Sequence, residues 1–377
     1  MTSFDIVVVG CGGGPSENNL SSYLLKAADA TWEDGLVALE AGTPLPFSRN
    51  RPRVNYAPAI HTGSGIGALT RLLDLHPDVF APEPSEPEAD VQVITAADIY
   101  SRIRCYLITH SHLDHVNGLV LSAGSVQGPT KLVHGSKRTL EGVASIFSGE
   151  IWPKLASWKD AEVPGTSLLL SPLSPDEVYT SVAHDISVRM MPISHGQNDG
   201  IPYPCTAFFV RHDSTNREFL FFGDVEPDSI SSEPKNLEIW RVAAPKIPET
   251  LSAIFIECSW PLGRADDILY GHLSPKHLAQ ELTALALEVV SSRQRASTEG
   301  RSNGASKKKK RNTDSLPSLE GALAGLRVYI THCKDDIQKT FDKPIHEVIA
   351  SQVRELVDAK GLGAEIIAVE QGLHITI

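Results

Sequence analysis

The chain has 377 residues, 41% of them hydrophobic, and a formal net charge of −12. That apolar content supplies a sizeable core, sufficient for two or three ordinary domains or one large domain with insertions, and excludes wholesale disorder or a collagen-like fibre. Arg293–Arg311 holds eight Lys/Arg against one acid (Glu299), a local +7 that leaves −19 on the rest, so the acidic body disfavours general binding to nucleic acid or anionic membranes.

In chain order, Ile6–Val9 is an apolar run with no basic residue before it, and Phe4–Val9 reads as a first strand, not a signal peptide. Gly10–Pro15 is a glycine-rich turn, and Leu20–Leu25 and Leu36–Glu40 read as further strands. No clear helix with an acidic ribose-binding residue follows the glycines, so they do not form a dinucleotide fingerprint. Residues 43–100 are broken by Pro44, Pro46, Pro52, Pro58, Pro82, Pro84 and Pro87 and read as a proline-rich insertion over one end of the core, with one helix predicted at Ile66–Leu75. Residues 101–290 alternate short apolar runs with helical patterns, which points to an α/β sandwich. The clearest helix is Leu273–Val290, with Ser274 as N-cap and Pro275 as its first residue. Residues 291–318 lack apolar surface and read as a disordered basic insertion. Order resumes with a strand from Leu326, a helix over Pro344–Lys360 and a strand at Ala364–Val369. No run approaches the ~18 apolar residues of a spanning helix. The five cysteines (Cys11, Cys105, Cys205, Cys258, Cys333) are widely spaced and read as reduced, buried thiols of an intracellular protein.

Five apolar runs stop at a residue able to bind metal or move a proton: Cys105–Thr109 at His110, Val188–Ser194 at His195, Phe219–Gly223 at Asp224, Ile254–Ile256 at Glu257 and Val328–Thr331 at His332. In open α/β folds, ligands sit beyond the carboxyl ends of the strands. The first ending is the richest: His110-Ser-His112-Leu-Asp114-His115 packs three imidazoles and a carboxylate into six residues. Such donors suit zinc and similar divalent ions. An x-spaced His pair can meet one ion, and the adjacent Asp-His pair can serve a second about 3.5–4 Å away.

The His-x-His-x-Asp-His string resembles the signature of the metallo-β-lactamase superfamily. The longer string His110-Ser-His-Leu-Asp-His-Val-Asn-Gly-Leu-Val-Leu-Ser-Ala123 resembles, at all fourteen positions, the signature of the class II 3′,5′-cyclic-nucleotide phosphodiesterases. These include the fungal low-affinity cAMP phosphodiesterases. Gly10-Cys-Gly-Gly-Gly-Pro-Ser-Glu-Asn-Asn-Leu-Ser-Ser22 is similar to that family's opening. The resemblance implies a single metallo-β-lactamase-like αββα sandwich over 1–377 with loop insertions. It also implies two divalent ions, zinc first, with manganese or iron also accepted by these donors. His110, His112 and His195 would hold the first ion. Asp114, His115 and His332 would hold the second, and Asp224 would bridge them. Glu257 and His272, the latter in Gly271-His272-Leu273-Ser274, resemble a further pair of the phosphodiesterase branch, so that His272, Glu257 and Asp114 make the catalytic set.

The implied reaction is attack of a bridging hydroxide on a cyclic phosphate, with His272 as general acid and a nucleoside 5′-monophosphate as product. It would lower cyclic-nucleotide signalling. A cyclic nucleotide is then the expected partner, cAMP with cGMP as second candidate, with no nucleic acid or membrane and with a homodimer suggested by the resemblance. Cytoplasmic placement is expected, with Lys307–Arg311 as a candidate nuclear address. Two rivals remain: an RNA 3′-processing nuclease of the same superfamily, sharing the metal residues, and a non-catalytic metal-bearing regulator, which would lack a ligand. His134, Asn18, Asn19, Ser21 and Ser22 are lesser candidates for the pocket, and Trp260 and Phe208 for stacking on a purine.

Overall fold

The first strand, β1 (Phe4–Gly10), is apolar on both faces. Ile6 and Val8 enter one buried cluster and Val7 and Val9 another, since successive side chains of a strand point to opposite faces. Such a strand belongs to a sheet covered on both sides. The computed structural model describes residues 2–42, 73, 76, 80, 94–125, 128–159, 167–176, 178–299 and 318–377. After β1 come β2 (Ser22–Ala27), β3 (Leu36–Leu39), α1 (Ala96–Arg102), β4 (Ile103–Leu107), α2 (Leu113–Ser122), β5 (Lys131–Gly135) and α3 (Lys137–Ile146). Next are β6 (Ala156–Ser157), β7 (Leu168–Pro172), β8 (Thr180–Ala183), β9 (Ile186–Asn198), β10 (Ile201–His212), β11 (Arg217–Phe222) and α4 (Asn236–Ala243). The chain ends with β12 (Leu251–Glu257), α5 (Pro275–Glu299), β13 (Arg327–Thr331), α6 (Ile345–Ala359), β14 (Glu365–Ala368) and β15 (His374–Thr376).

The strands form two sheets, β15-β1-β2-β3-β4-β5-β7-β6 and β14-β13-β12-β11-β10-β9-β8. Between them lies an aromatic layer, in which Phe4 meets Phe219 edge-on at 5.0 Å and Tyr23 meets Phe221 at 5.3 Å. On the outer face of the first sheet, Ile99 of α1, Leu119 of α2 and Leu140 of α3 pack with Val7, Leu24 and Tyr106. On the second, Trp240 of α4, Leu282 of α5 and Val353 of α6 pack with Phe209, Leu220 and Ile254. The result is the expected helix–sheet–sheet–helix sandwich. The neighbours β3, β4, β5 and β7 are parallel in one sheet, as are β11 to β14 in the other. Their carboxyl ends meet at one edge of the sandwich, where His110 beyond β4 lies 3.7 Å from Asp224 beyond β11.

Several boundaries depart from expectation. His195 does not follow its strand but sits within β9, because pairing with β10 continues to Asn198 across a register shift between Pro202 and Pro204. α2 begins at Leu113, so half of the metal-ligand string is helical from its first turn. α5 continues to Glu299, into the basic segment expected to be disordered from 291; residues 300–317 lie outside the described residues, with Lys307–Arg311 among them. The proline-rich stretch ends in a helix: Thr95 and Asp98 form a reciprocal capping box on α1, a Thr-x-x-Asp signal present in the sequence. The helix predicted at Ile66–Leu75 lies outside the described residues apart from Leu73. Phe80 of the same stretch is buried against Trp32, rings 5.2 Å apart, so the stretch contributes to the core itself. Phe208 also lies in the core, between the sheets, where no substrate reaches it. All five cysteines are free and buried. Among the described residues no helix is long and apolar enough to cross a membrane.

Phe255 of β12 stacks on Tyr329 at 4.6 Å and meets Phe219 edge-on at 5.6 Å. Phe255→Ala should destabilise the fold by about 3–5 kcal/mol. Urea unfolding followed by fluorescence should show a lowered midpoint; an unchanged midpoint would refute the role of the inter-sheet layer.

Candidate metal centre

Two groups of four side chains meet at the shared sheet edge. His110, His112, His195 and Asp224 make one, and Asp114, His115, Asp224 and His332 the other; within each group the ligand atoms lie within 4.8 Å of one another. Asp224 belongs to both through different oxygens. Its Oδ2 lies 3.7 Å from His110 Nε2 and 3.6 Å from His195 Nε2, and its Oδ1 lies 3.2 Å from His115 Nε2 and 3.3 Å from His332 Nε2. All seven residues singled out as ligands are therefore gathered at one point.

Local backbone geometry explains the convergence. The end of β3 docks on the first turn of α2: the Ala41 amide donates to the His115 carbonyl, and a Cβ on Gly42 would lie 1.8 Å from the Asp114 carbonyl oxygen. Gly196 and Gly271 lie back to back, both in the left-handed region at φ +61° and +78°. Their missing side chains let the Gly271 carbonyl reach His195 Nδ1 at 2.9 Å.

These outer contacts set the tautomers. A carbonyl only accepts, so His195 donates from Nδ1 and its Nε2 lone pair faces inward. His115 Nδ1 faces Glu40 Oε2 at 3.5 Å, with no other hydrogen-bond partner for either atom among the described residues. Ser259 Oγ donates to Glu257 Oε2 at 2.7 Å, which leaves it to accept from His332 Nδ1 at 3.0 Å. With the His115 ring neutral, its Nε2 and His332 Nε2 bring two lone pairs within 3.1 Å. His112 instead presents Nδ1, 3.0 Å from His110 Nε2 and 3.3 Å from His195 Nε2. Converging lone pairs repel unless a cation lies between them, so this donor set fits divalent metal ions.

The charge states agree. Burial holds His110 well below the ordinary histidine value, lowers His112 and His332, and pushes His195 down to about 4. Those rings are neutral at pH 7, as ligands must be. Burial alone would raise Asp224 and Asp114. The imidazoles of His332 and His115 outweigh it and hold both carboxyls below their usual range. His115 is the exception: burial opposes its charge, but Asp224 and Glu40 raise its pKa well above normal, so without a cation the ring holds a proton that a metal ion would have to displace.

Beside this centre stands Glu257, whose Oε1 accepts from the Val225 amide at 3.0 Å and lies 2.8 Å from His272 Nδ1. Its Oε2 accepts from the Ser259 and Leu273 amides. His272 is 3.8 Å from Asp224 Oδ2. Ser274 stands directly before α5, but its hydroxyl lies 2.8 Å from His277 Nδ1. The lesser candidates are elsewhere: His134 Nδ1 lies 3.2 Å from the Ser171 carbonyl, and Asn19 Oδ1 accepts from the Cys11 amide to hold the glycine turn.

Sequence reasoning missed three residues of the site. Glu40, buried and at φ +60°, was legible as a sixth strand ending of the same kind. Tyr203 stacks on His112 with ring centroids 4.2 Å apart, and Ser259 links Glu257 to His332; neither lies in a motif. Glu40→Gln should weaken metal affinity about 10–100-fold, as outer partners of ligating histidines do. Competition with a chromophoric chelator measures this, and unchanged affinity would remove Glu40 from the centre.

Comparison with known proteins now gives this geometry a family. The class-II cAMP phosphodiesterase family matches residues 64–372. A 3′,5′-cyclic-nucleotide phosphodiesterase of Schizosaccharomyces pombe is 31% identical over 293 residues, 75% of this chain and 75% of its own. In crystal structures, unliganded yeast PDE1 superposes with a TM-score of 0.71 at 24% identity, covering 100% of this chain and 99% of its own. The Bacillus subtilis metallo-β-lactamase fold protein YhfI gives 0.52 at 14% identity, with both chains fully covered (100% and 100%). These two share the fold, so the αββα sandwich is of the metallo-β-lactamase type. With the family match spanning most of its length and the S. pombe relative above 30% identity, the chain belongs to the class-II cAMP phosphodiesterases and is a cyclic-nucleotide phosphodiesterase.

Proposed function

We propose that the chain hydrolyses 3′,5′-cyclic AMP, with cGMP as a second substrate, to the nucleoside 5′-monophosphate. His110, His112 and His195 would hold one zinc ion and Asp114, His115 and His332 the other, with Asp224 shared between them. The observation that carries this reading is the division of the two Asp224 oxygens between two imidazole groups, in a chain of this family. Bound divalent ions supply Lewis acidity, a hydroxide from water whose pKa falls toward ~7, and neutralisation of charge on the phosphate.

The chain's own residues supply the proton. Glu257 is fixed by three backbone amides and holds His272 through Nδ1, which leaves Nε2 to face the substrate. Burial would lower the His272 pKa, but the carboxylates of Glu257 and Asp224 outweigh it and raise it. The hydroxide oxygen bonds to phosphorus as the P–O3′ bond breaks, O3′ takes the proton from His272 Nε2, and a 3′-hydroxyl and a 5′-monophosphate result. The five buried, free thiols fit a cytoplasmic enzyme that lowers a cyclic-nucleotide signal.

Purified protein given cAMP should release 5′-AMP, stop when a chelator removes the metal and recover with zinc. A 3′-AMP product would overturn the direction of cleavage, and no turnover of cAMP or cGMP by zinc-loaded protein would overturn the reading itself. His272→Ala should lower kcat about 10²–10⁴-fold at unchanged zinc content by atomic absorption; loss of zinc or a full rate refutes its role as acid. Asp224→Ala should lose both ions, and a zinc-loaded, active variant would refute the shared ligand.

A further inference from the structure

The centre lies between two cavities of different chemistry. One, of about 670 Å³, opens beside His112 and His195. Its wall carries the carboxylates of Glu226, Asp266 and Asp267 and, among the described residues, no lysine or arginine. The other, of about 730 Å³, is lined by none of the seven candidate ligands and adjoins the centre through Lys334 and Gly13. Lys334 in its wall donates to the Gly13 carbonyl at 2.6 Å and lies 3.6 Å from Asp114 Oδ2. The Gly13 backbone, also in that wall, lies against the His332 ring.

Both cavities carry aromatic side chains, Tyr203 and Tyr270 in the first and Trp260 and Phe341 in the second, so charge separates them. Trp260 and Phe341 are each half-buried, and the Arg264 guanidinium lies 3.5 Å over the Trp260 ring. The platform is held before any ligand arrives: Trp260 Nε1 donates to the Leu269 carbonyl at 3.2 Å and Arg264 Nε to the Ile268 carbonyl at 2.6 Å. Two carboxylates share this wall, but both are committed to backbone. Asp335 accepts from the Ser16 amide and Asp336 from the Phe341 amide. A cyclic nucleotide pairs a flat, uncharged base with an anionic phosphodiester. An aromatic wall leading to a lysine suits that pairing; the first cavity's wall opposes the anion, since of its three carboxylates Asp266 alone is ion-paired among the described residues, to Lys276 and His277.

From this asymmetry we infer that the cavity walled by Trp260 and Phe341 receives the purine of the substrate, with Lys334 at its phosphate end. This rests on the cyclic-nucleotide reading above and adds the residues that distinguish a nucleotide from other phosphodiesters. Trp260 and Phe341 act on base binding and leave bond cleavage to the metal centre.

The test compares cAMP with base-free 1-O-methylribose 3′,5′-cyclic phosphate on the zinc-loaded full chain. Trp260→Ala and Phe341→Ala should each raise KM for cAMP about 10-fold or more. Turnover of the base-free compound and zinc content should stay within about twofold. Trp260→Phe should keep most of the cAMP affinity, and Asp267→Asn in the opposite cavity should change neither substrate. An unchanged cAMP KM in Trp260→Ala, or an equal loss on both substrates, overturns the assignment, as does a KM rise confined to Asp267→Asn. Wild-type protein inert on both substrates would instead overturn the cyclic-nucleotide reading beneath it.

Discussion

One carboxylate organises the active end of this molecule. Asp224 is 2% exposed and has an imidazole Nε2 within 3.7 Å on four sides. A buried charge is costly unless paired. Most of its neighbours are imidazoles that burial keeps neutral, so the chain's own charges do not balance it fully, and bound divalent ions would. The fold is arranged to deliver it there. Gly223 precedes it because a Cβ at that position would strike Thr109 Oγ1 and Cys205 Sγ, at 2.4 and 2.6 Å. The parallel pairing of β11 with β12 and β13 sets Asp224, Glu257 and His332 side by side on one sheet edge. The other sheet brings the His110–His115 string to meet them.

Around that carboxylate the second tier of contacts is as specific as the first. Each inward-facing nitrogen is chosen by what its ring's other nitrogen touches: a carbonyl for His195, a carboxylate for His115, a committed hydroxyl for His332. The same Glu257 that holds His272 accepts from Ser259 and so reaches His332. The proposed proton donor and one ligand of the second metal group thus share a single anchor. A substitution at Glu257 would disturb both proton delivery and ligand orientation, whereas His272 can be removed with the ligands in place. That separation distinguishes a group acting on the leaving oxygen from one that holds the scaffold.

Much of this was legible in the chain because its signals are local. Strand-ending polar residues need only a continuous apolar run and one abrupt stop, and His110, Asp224, Glu257 and His332 all show it. An α/β sandwich was legible too, from short apolar runs alternating with helical patterns, whereas the αββα layering followed from the resemblance to the metallo-β-lactamase superfamily. What stayed hidden depends on contacts distant in sequence. β9 runs past His195 because β10 pairs with it, and Tyr203 reaches His112 only through that hairpin. Phe80 joins the core from a stretch whose prolines suggest only loop, since burial against Trp32 has no local signature. α5 continues to Glu299 through a segment with little apolar surface because its earlier turns are already packed, and extending a formed helix is far easier than starting one.

The site is also where the chain breaks its own rules. His332 and Glu40 both sit in the left-handed region, at φ +57° and +60°, where β-carbon crowding disfavours residues other than glycine. Such backbone costs of order 1–3 kcal/mol per residue and persists only where surrounding contacts over-determine it. Here they do. The His332 amide donates to the Cys11 carbonyl at 2.6 Å, and the Glu40 amide donates to the Leu107 carbonyl at 3.0 Å. Cys11 opens the glycine turn whose Gly13 lines the proposed base cavity, so the bond that pins a ligand of the second metal group also fixes one wall of that cavity. The proposed metal ligation and base recognition would therefore share one element, and a substrate seated against that wall would present its phosphate to a centre already pinned by the same bond.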